Sequence, residues 1–388
     1  MVTIGPPAPP TTPPKRLDLG TLGGAFSSPT AMSGTIVVGV SATLDDKSSY
    51  LGHAFAYDLA APHPHMVDLG TLGGRFSSAN GVDGTWVVGG ADSADGTSHA
   101  FAYNLAAAPP HLIDLGTAIP NCYASAIRGT WVVGTCFPPE HQTESRAFAY
   151  DLAAGHARMI DLGTLGGTTA TAFATDGTWA VGYSTTKDGK AHAYAYNLNV
   201  ARPKMIDLGT VAQSPSSRAD YLQDGWVLGE SPPATFVYNL NAANPVITDM
   251  GSLGGAGATP AAVSDGWVVG RSATAGGPEH AFAYNFAAPH PRMIDLGTLG
   301  GRQSAAAAVA DGWVVGTAAA ADNEDHVFVC DLNAPHVQMV DLGAGLGDPT
   351  GPDSTEPVAV GGGWLVGGPL VTRGGFVGHA WAVRLPGA

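Results

Sequence analysis

The sequence predicts an all-β protein, an eight-bladed β-propeller, on three observations. The tripeptide Asp-Leu-Gly, once as Asp-Met-Gly, recurs eight times in the 388 residues at intervals of 42 to 50 residues. Each repeat has four short segments that are rich in β-branched and aromatic residues and bounded by Gly, Asp, Asn or Pro, a pattern typical of strands. No window shows sustained helical periodicity. Four strands in about 46 residues is the size of a propeller blade.

The four segments, named S1 to S4 in chain order, occupy residues 66–69, 78–82, 86–89 and 99–105 in the second repeat. Small residues occupy alternate positions of S2, which favours S2 as the strand nearest the ring axis and S1 as the outermost. The alternative places S1 innermost. The repeats start near residues 18, 68, 114, 161, 207, 249, 295 and 341.

The two chain ends predict how the ring closes. The last repeat ends at its S4, residues 379–385, whereas residues 16–19 form an S1 with no earlier strands. The N-terminal strand is therefore expected to complete the last blade, a closure that the alternative strand order does not need. Residues 1–14 contain six prolines and are expected to form a flexible tail, with residues 15–388 as one propeller domain.

Composition and charge exclude several classes of partner. A net charge of −15 opposes nucleic acid and anionic membrane surfaces. No apolar stretch is long enough to predict membrane insertion, and Met1 is followed by Pro-rich sequence instead of a signal peptide, which predicts a cytoplasmic protein. The recurring Thr-Leu-Gly-Gly segment precedes no helix and lacks a P-loop lysine, so we expect turns with positive φ and no cofactor.

One pair of cysteines lies in a predicted hairpin. Cys122 and Cys136 flank a turn at residues 128–130. If Ile127 faces Trp131, then Cys122 faces Cys136, and opposed Cβ atoms in such a pair lie near disulfide range. The pattern leaves open a disulfide or two unpaired small side chains.

Three recurring phrases carry a resemblance to a known family. They stand at residues 68–74 (Asp-Leu-Gly-Thr-Leu-Gly-Gly), 86–89 (Trp-Val-Val-Gly) and 99–103 (His-Ala-Phe-Ala-Tyr). Together they resemble the HAF repeat family, named for its His-Ala-Phe segment, over about residues 15 to 385. Two repeats depart from the motif, with Arg146 and Thr235 at the histidine position. The resemblance implies a secreted or surface protein and carries no enzymatic activity.

Residues that recur in most repeats are expected to serve the blade. We interpret the recurring tryptophans, such as Trp86, as packing between blades and not as sugar-stacking platforms. Histidines one blade apart cannot converge on one ion, so we expect strand-end hydrogen bonds and no metal site. The acidic loops at residues 92–96 and 322–325 lack the ligand series of an EF-hand and are interpreted as solvated turns.

Residues that break the pattern are the candidates for function. Alignment of the S2 segments places Tyr123, Arg218 and Glu356 in one column. A second column, two residues further along the strand, contains Asn80, Phe173 and Asp220. Arg218 and Asp220 are expected to share a strand face. The S3–S4 loop of the fifth repeat is the shortest, since Trp226 and Phe236 are 10 residues apart. A short loop beside a charged inner strand predicts an opening.

The functional prediction is a ligand-binding propeller that holds a small polar molecule or a glycan at the axial opening. The binding residues are expected to be Arg218, Asp220, Tyr221, Tyr123, Glu356, Phe173 and Asn80. One alternative is an enzyme, a lyase, hydrolase or cyclase, that uses Asp220 or Glu356 as general acid or base and Arg218 to stabilise negative charge. A second is a scaffold that presents its rim loops to a protein. The polar loop at residues 140–144 and the inserted segment 347–354 also break the repeat and are expected to belong to the asymmetric site. The sequence does not decide whether the protein is an enzyme.

Overall fold

The chain is an all-β protein, an eight-bladed β-propeller with eight four-stranded antiparallel sheets, which confirms the predicted fold class. The computed structural model describes residues 15–388 apart from 45–51, 117–119, 139–143, 155–157, 213, 323, 345–354, 370, 373–374, 377 and 388. The predicted tail at residues 1–14, the inserted segment 347–354 and most of the loop at 140–144 lie outside the described residues.

The strands of the first four blades follow in the order S2, S3, S4 and the S1 of the next repeat. They are Gly23–Ser33, Ile36–Thr43, His53–Asp58 and Val67–Gly70 in blade one; Gly73–Asp83, Trp86–Ser93, Ser98–Asn104 and Leu112–Asp114 in blade two; Cys122–Arg128, Trp131–Cys136, Arg146–Asp151 and Ile160–Asp161 in blade three; and Gly166–Thr175, Trp179–Thr186, Ala191–Asn197 and Ile206–Gly209 in blade four.

The last four blades have the same order. Their strands are Arg218–Gln223, Trp226–Ser231, Ala234–Asn239 and Thr248–Asp249 in blade five; Gly254–Ser264, Trp267–Thr274, Glu279–Asn285 and Met293–Gly297 in blade six; Gly300–Ala310, Trp313–Ala320, Asp325–Asp331 and Val340–Gly343 in blade seven; and Thr355–Gly361, Trp364–Pro369, Ala380–Arg384 and Arg16–Gly20 in blade eight. Val371–Thr372 and Gly375–Phe376 form a separate two-stranded sheet.

The strand order confirms the predicted closure. S1 and S2 lie at opposite edges of each sheet, and the N-terminal strand Arg16–Gly20 pairs with Ala380–Arg384 as the outer strand of blade eight. Consecutive S2 strands approach each other, as where the Asn80 amide donates to the Ala124 carbonyl at 2.9 Å. S2 is therefore the edge strand at the blade junctions, and the alternative order, which needed no closing strand, is wrong.

The chain forms two compact units, which are described separately. The first unit, within residues 1–35, 42–50 and 251–388, contains blades six to eight, and the second, within 36–41 and 51–250, contains blades two to five.

The S2 strands contain a β-bulge that sequence alignment did not predict. In blades two to eight the register with S3 shifts by one residue near the middle of S2, and Asp220 is the extra residue in blade five. In blade three this shift corrects the predicted register, because Ile127 faces Val132 and not Trp131, yet Cys122 still faces Cys136. The structure joins the two cysteines in a disulfide. Of the two alternatives that the sequence left open, a disulfide or two unpaired side chains, the structure contains the disulfide.

A buried aromatic side chain from each S4 strand covers the glycine of the neighbouring S3 strand. A Cβ atom added to Gly134 would lie 2.2 Å from the Tyr123 carbonyl oxygen on S2 and 2.7 Å from the ring of Phe148, so the S2 backbone and the aromatic ring together require glycine here. The tryptophans that begin S3, including Trp86, are partly buried against core clusters that combine consecutive blades. The interpretation of these tryptophans as packing residues is confirmed.

The aromatic column contains a buried tyrosine whose hydroxyl lacks a partner. Tyr194 replaces the phenylalanine of the motif and is fully buried, and among the described residues its hydroxyl has no hydrogen-bond partner. Burial raises its pKa far above the usual range. An unsatisfied buried hydroxyl costs about 1–3 kcal/mol.

We therefore expect Tyr194→Phe to increase the free energy of unfolding by about 1–2 kcal/mol, because the variant removes the unsatisfied group and keeps the ring. Chemical denaturation measures this difference. Phe236→Tyr, the reverse change in the adjacent blade, is the matched control and should destabilise the protein. A Tyr194→Phe variant that unfolds more easily than the wild type would contradict the assignment.

Serine and aspartate side chains connect consecutive blades. Ser77 of blade two donates to the Gly70 carbonyl at 2.6 Å and accepts from the Ala54 amide at 2.8 Å. At the other end of the blades, Asp83 accepts from the Gly129 amide of the next S2–S3 turn at 2.7 Å. Asp176, Asp265 and Asp311 likewise accept a hydrogen bond from a backbone amide of the next S2–S3 turn. These aspartates therefore hold neighbouring turns together.

The Thr-Leu-Gly-Gly segments are turns, as predicted. Gly70 and Gly73 have φ of 77° and 101°, and the Thr71 hydroxyl donates to the Gly74 carbonyl at 3.0 Å. The Leu72 amide donates to the Asp92 carbonyl at 3.1 Å, which places this turn beside the S3–S4 connection of its own blade. This turn thus lies at the same end of the blade as the S3–S4 connection.

Candidate functional site

Arg218 of blade five lies between two carboxylates of the second unit. Its Nε is 3.0 Å from Asp220 Oδ1, and its Nη2 is 3.3 Å from Glu230 Oε2. Glu230 is the direct cross-strand neighbour of Arg218 on S3, and Asp220 is the bulge residue two positions along S2. Arg218 and Asp220, which were expected to share a strand face, form an ion pair. The second carboxylate, Glu230, lies on the S3 strand, which extends to Ser231.

The three charged groups differ in burial. The Asp220 side chain is 17% exposed, whereas that of Arg218 is 52% exposed. Burial raises the pKa of Asp220 to about 6, with a further increase from Glu230, although Arg218 lowers it. Burial also raises the pKa of the neighbouring Tyr221 to about 12. Asp220 is thus a desolvated carboxyl behind a solvent-accessible guanidinium.

A cavity of about 340 Å³ opens beside Arg218, and we call it the Arg218 cavity. Its lining residues come from blades four and five and are Tyr183, Ala191, Ser216, Ser217, Arg218, Glu230 and Pro232. Only Pro232 and Pro233 connect the S3 and S4 strands of blade five. The short connection leaves space above the charged residues, as the prediction of an opening at this loop anticipated.

Aromatic side chains of blades three and four form two ring pairs, one of which includes the cavity residue Tyr183. The Tyr123 and Phe137 rings stack with centroids 5.4 Å apart, and those of Phe173 and Tyr183 are tilted at 5.9 Å. Tyr123 is 41% exposed. Sequence reasoning identified Tyr123 and Phe173 but missed Tyr183. Its signal was its position directly after the Trp-Ala-Val-Gly glycine, the position that Glu230 occupies in blade five.

The other predicted site residues have separate roles. Asn80 joins the S2 strands of blades two and three through its bond to Ala124. Tyr221 is half-buried beside Asp220 and Glu230. Glu356 belongs to the first unit, where it is exposed and lines a different cavity. Its membership of the Arg218 site stays a prediction.

The recurring histidines form hydrogen bonds at the strand ends, as predicted. His53 Nδ1 lies 3.0 Å from Asp68, which also accepts from the Gly70 amide at 2.7 Å. The same His–Asp contact occurs in five other blades, at His99, His192, His280, His326 and His379. These six pairs join S4 to S1 within one sheet.

One cluster in the acidic loop of blade seven has metal-ligand geometry. Donor atoms of Asp322, Glu324 and His326 lie within 4.8 Å of one another. His326 is already bound to Asp341 at 2.9 Å, and both carboxylates are exposed. We assign no metal to this cluster.

Comparisons with known proteins support the fold alone. No family model matches the sequence, and no curated protein matches it. The β-propeller domain of the Trilobed protease from Pyrococcus furiosus, described as an open velcro topology, is similar with a TM-score of 0.51 and 11% identity, over 85% of this chain and 98% of that one. Within the described residues, no helix has the length and apolarity of a membrane span.

Two further solved structures have lower scores. The WD40 domain of SCAP from fission yeast has a TM-score of 0.48 and 12% identity, over 96% of this chain and 98% of that one. A puromycin-hydrolyzing peptidase from Mycobacterium tuberculosis has a TM-score of 0.46 and 16% identity, over 88% of this chain and 57% of that one.

Proposed function

We propose that this propeller binds a small, polar, hydroxyl-rich molecule or a glycan in the Arg218 cavity. The observation that carries the proposal is a guanidinium held by two carboxylates, Asp220 and Glu230, at the wall of a 340 Å³ cavity. Hydroxyl groups both donate and accept hydrogen bonds, so a sugar satisfies the carboxylate and the guanidinium together. Tyr183 supplies a ring face for the apolar side of a sugar.

The charge balance favours a neutral ligand over an anionic one. Arg218 already lies within 3.3 Å of two carboxylate groups, so its positive charge is matched. An anion would approach Glu230 and Asp220, which repel it. The expected role of Arg218 is therefore hydrogen-bond donation to a hydroxylated ligand.

Titration calorimetry with neutral mono- and disaccharides tests the proposal, with glucuronic acid as the anionic match. We expect one neutral sugar per chain, weaker binding of the uronic acid, and at least about tenfold weaker binding after Arg218→Ala or Glu230→Gln. Arg128→Gln is the matched control, because Arg128 pairs with Asp83 at 3.5 Å in the same unit but outside the cavity lining.

Unfolding of the same variants separates binding from a purely structural ion pair. A structural pair predicts that Arg218→Ala and Asp220→Ala each unfold early, that the double variant recovers, and that sugar affinity never changes. That result, or the absence of binding by every neutral sugar, would overturn the proposal.

A second candidate function is catalysis in the same cavity. It is favoured by Asp220, whose pKa of about 6 suits a general acid or base near neutral pH. Sugar turnover that Asp220→Asn abolishes without weakening sugar binding would establish the enzyme.

We also propose that the protein is secreted or displayed at the cell surface. The Cys122–Cys136 disulfide supports this location, since structural disulfides persist in oxidising compartments. The resemblance to HAF repeats points the same way. Mass spectrometry of protein isolated from its native source checks the location, and free thiols at Cys122 and Cys136 would argue for a cytoplasmic protein.

A further inference from the structure

Two adjoining cavities in the first unit share a wall with charges of both signs. They have volumes of about 340 and 210 Å³, and both are lined by Arg271, Thr317 and Glu356. Arg271 projects from S3 of blade six, and Glu356 projects from S2 of blade eight. The S2 strand of blade seven lies between these two blades in the chain order and contributes Ala305 to both cavities.

The space exists because blade seven has alanine where other blades have larger residues. Ala305 and Ala307 occupy the S2 positions that Arg218 and Asp220 occupy in blade five. Ala306, Pro260 and Pro357 also line the larger cavity. This surface is apolar and lined by small side chains.

The charged groups of this wall are available for a ligand. Arg271 has one ion pair, with Glu279 at 3.5 Å, and both side chains are about half exposed. Such surface pairs contribute little free energy, and a ligand can displace them. Glu356 is exposed, and within the described part of the chain its side chain forms no hydrogen bond or ion pair. Glu279 and Asp325 add two more carboxylates to the smaller cavity.

We propose that these cavities form a second binding site, for a small zwitterion that carries an ammonium group, a carboxylate and a small apolar side chain. The ammonium group binds Glu356, and the carboxylate binds the Nη atoms of Arg271, which suit a planar carboxylate. The apolar side chain lies on the alanine and proline surface. Free amino acids and short peptides belong to this chemical class.

The excess of carboxylates predicts an order of affinities. Three acids and one arginine line the smaller cavity, so the ammonium group should contribute more than the carboxylate. A zwitterion should therefore bind best, its C-terminal amide less well, and its N-acetylated form least. The order is specific to this site, because the Arg218 cavity has no such arrangement of separated charges.

Calorimetric titration of the full chain with L-alanyl-L-alanine, its amide and its N-acetyl derivative tests the site. We expect saturable binding of the free dipeptide and at least about tenfold weaker binding of the N-acetyl derivative. Glu356→Gln should weaken binding of the free dipeptide by a similar factor. Arg271→Gln should remove the preference for the free carboxylate over the amide. Arg302 is exposed and does not line either cavity. Arg302→Gln should therefore change neither the affinity for the dipeptide nor the preference for the free carboxylate.

Three outcomes would overturn this site. They are no binding of the free dipeptide, equal binding of all three compounds, and equal effects of Arg271→Gln and Arg302→Gln. The proposal does not depend on the Arg218 cavity, since Arg218→Ala should leave dipeptide binding unchanged. Failure of one proposal therefore leaves the other standing.

Discussion

A variant that starts at residue 21 should have a melting temperature several degrees below that of a variant that starts at residue 15, because only the shorter variant lacks the outer strand of blade eight. The strand Arg16–Gly20 pairs with Ala380–Arg384, Leu19 is 3% exposed, and Asp18 lies 2.9 Å from His379. Loss of one buried leucine costs about 2 kcal/mol, and each lost hydrogen bond costs about 1 kcal/mol. We expect a total loss of roughly 4 kcal/mol, measured by thermal and chemical unfolding.

The same experiment has a matched rescue. A synthetic peptide with the sequence of residues 15–22 should raise the melting temperature of the shortened variant, because it restores the missing strand from outside. A peptide with Leu19→Asp should not. Equal melting temperatures for the variants that start at residues 15 and 21 would show that the strand pairing contributes nothing to closure.

The second large effect concerns Asp220 and pH. Its pKa is about 6 in the folded protein against an ordinary value of 3.8, so the folded state holds this proton more tightly than the unfolded state. Stability contributed by this group is therefore present at low pH and lost as the pH rises from about 4 to 6. Asp220→Asn removes the titration. Relative to wild type, the variant should gain about 2–3 kcal/mol between pH 4 and pH 7.

Asp188→Asn is the control with the opposite sign. The pKa of Asp188 is lowered by hydrogen bonds from Thr186 and Lys190, so its carboxylate stabilises the folded state at neutral pH. This variant should lose stability relative to wild type as the pH rises toward 4, and the difference should change little between pH 4 and pH 7. If the Asp220→Asn difference is flat across this range, Asp220 is not desolvated.

The repeat made the fold predictable, because eight copies of one pattern average out local ambiguity. The unpaired segments at the two ends of the sequence then identified the closing strand. The S2 bulge was not predictable in the same way, because a bulge is a relation between two strands and leaves the column alignment of one strand unchanged. In blade three the bulge lies between Cys122 and Ile127, so the predicted register is right for Cys122 and wrong for Ile127.

The candidate site was predictable where a residue broke the repeat. Arg218 and Asp220 stood out as the only charged pair in their columns. Glu230 did not, because it follows the four-residue S3 segment of the sequence pattern, whereas the strand in the structure extends to Ser231. Tyr183 did not stand out for a related reason, since the residues that break the repeat were aligned along S2 and Tyr183 lies on S3 opposite Thr171. Cross-strand neighbours form a site only after the register is known.

The cysteine pair occupies a place where other blades have buried serines. Ser77 and Ser304 stand at the Cys122 position, opposite Ala91 and Ala318, and Ser184 stands at the Cys136 position, opposite Ala170. Blade five has serine at both positions, Ser217 and Ser231, and both are buried. Their hydroxyls bond to backbone groups and not to each other, and because cysteine differs from serine by one atom, the pair of positions that is hydrogen-bonded to the backbone in blade five is covalently crosslinked in blade three. Blade five is thus the natural place for a designed second crosslink, at the wall of the Arg218 cavity that Ser217 lines.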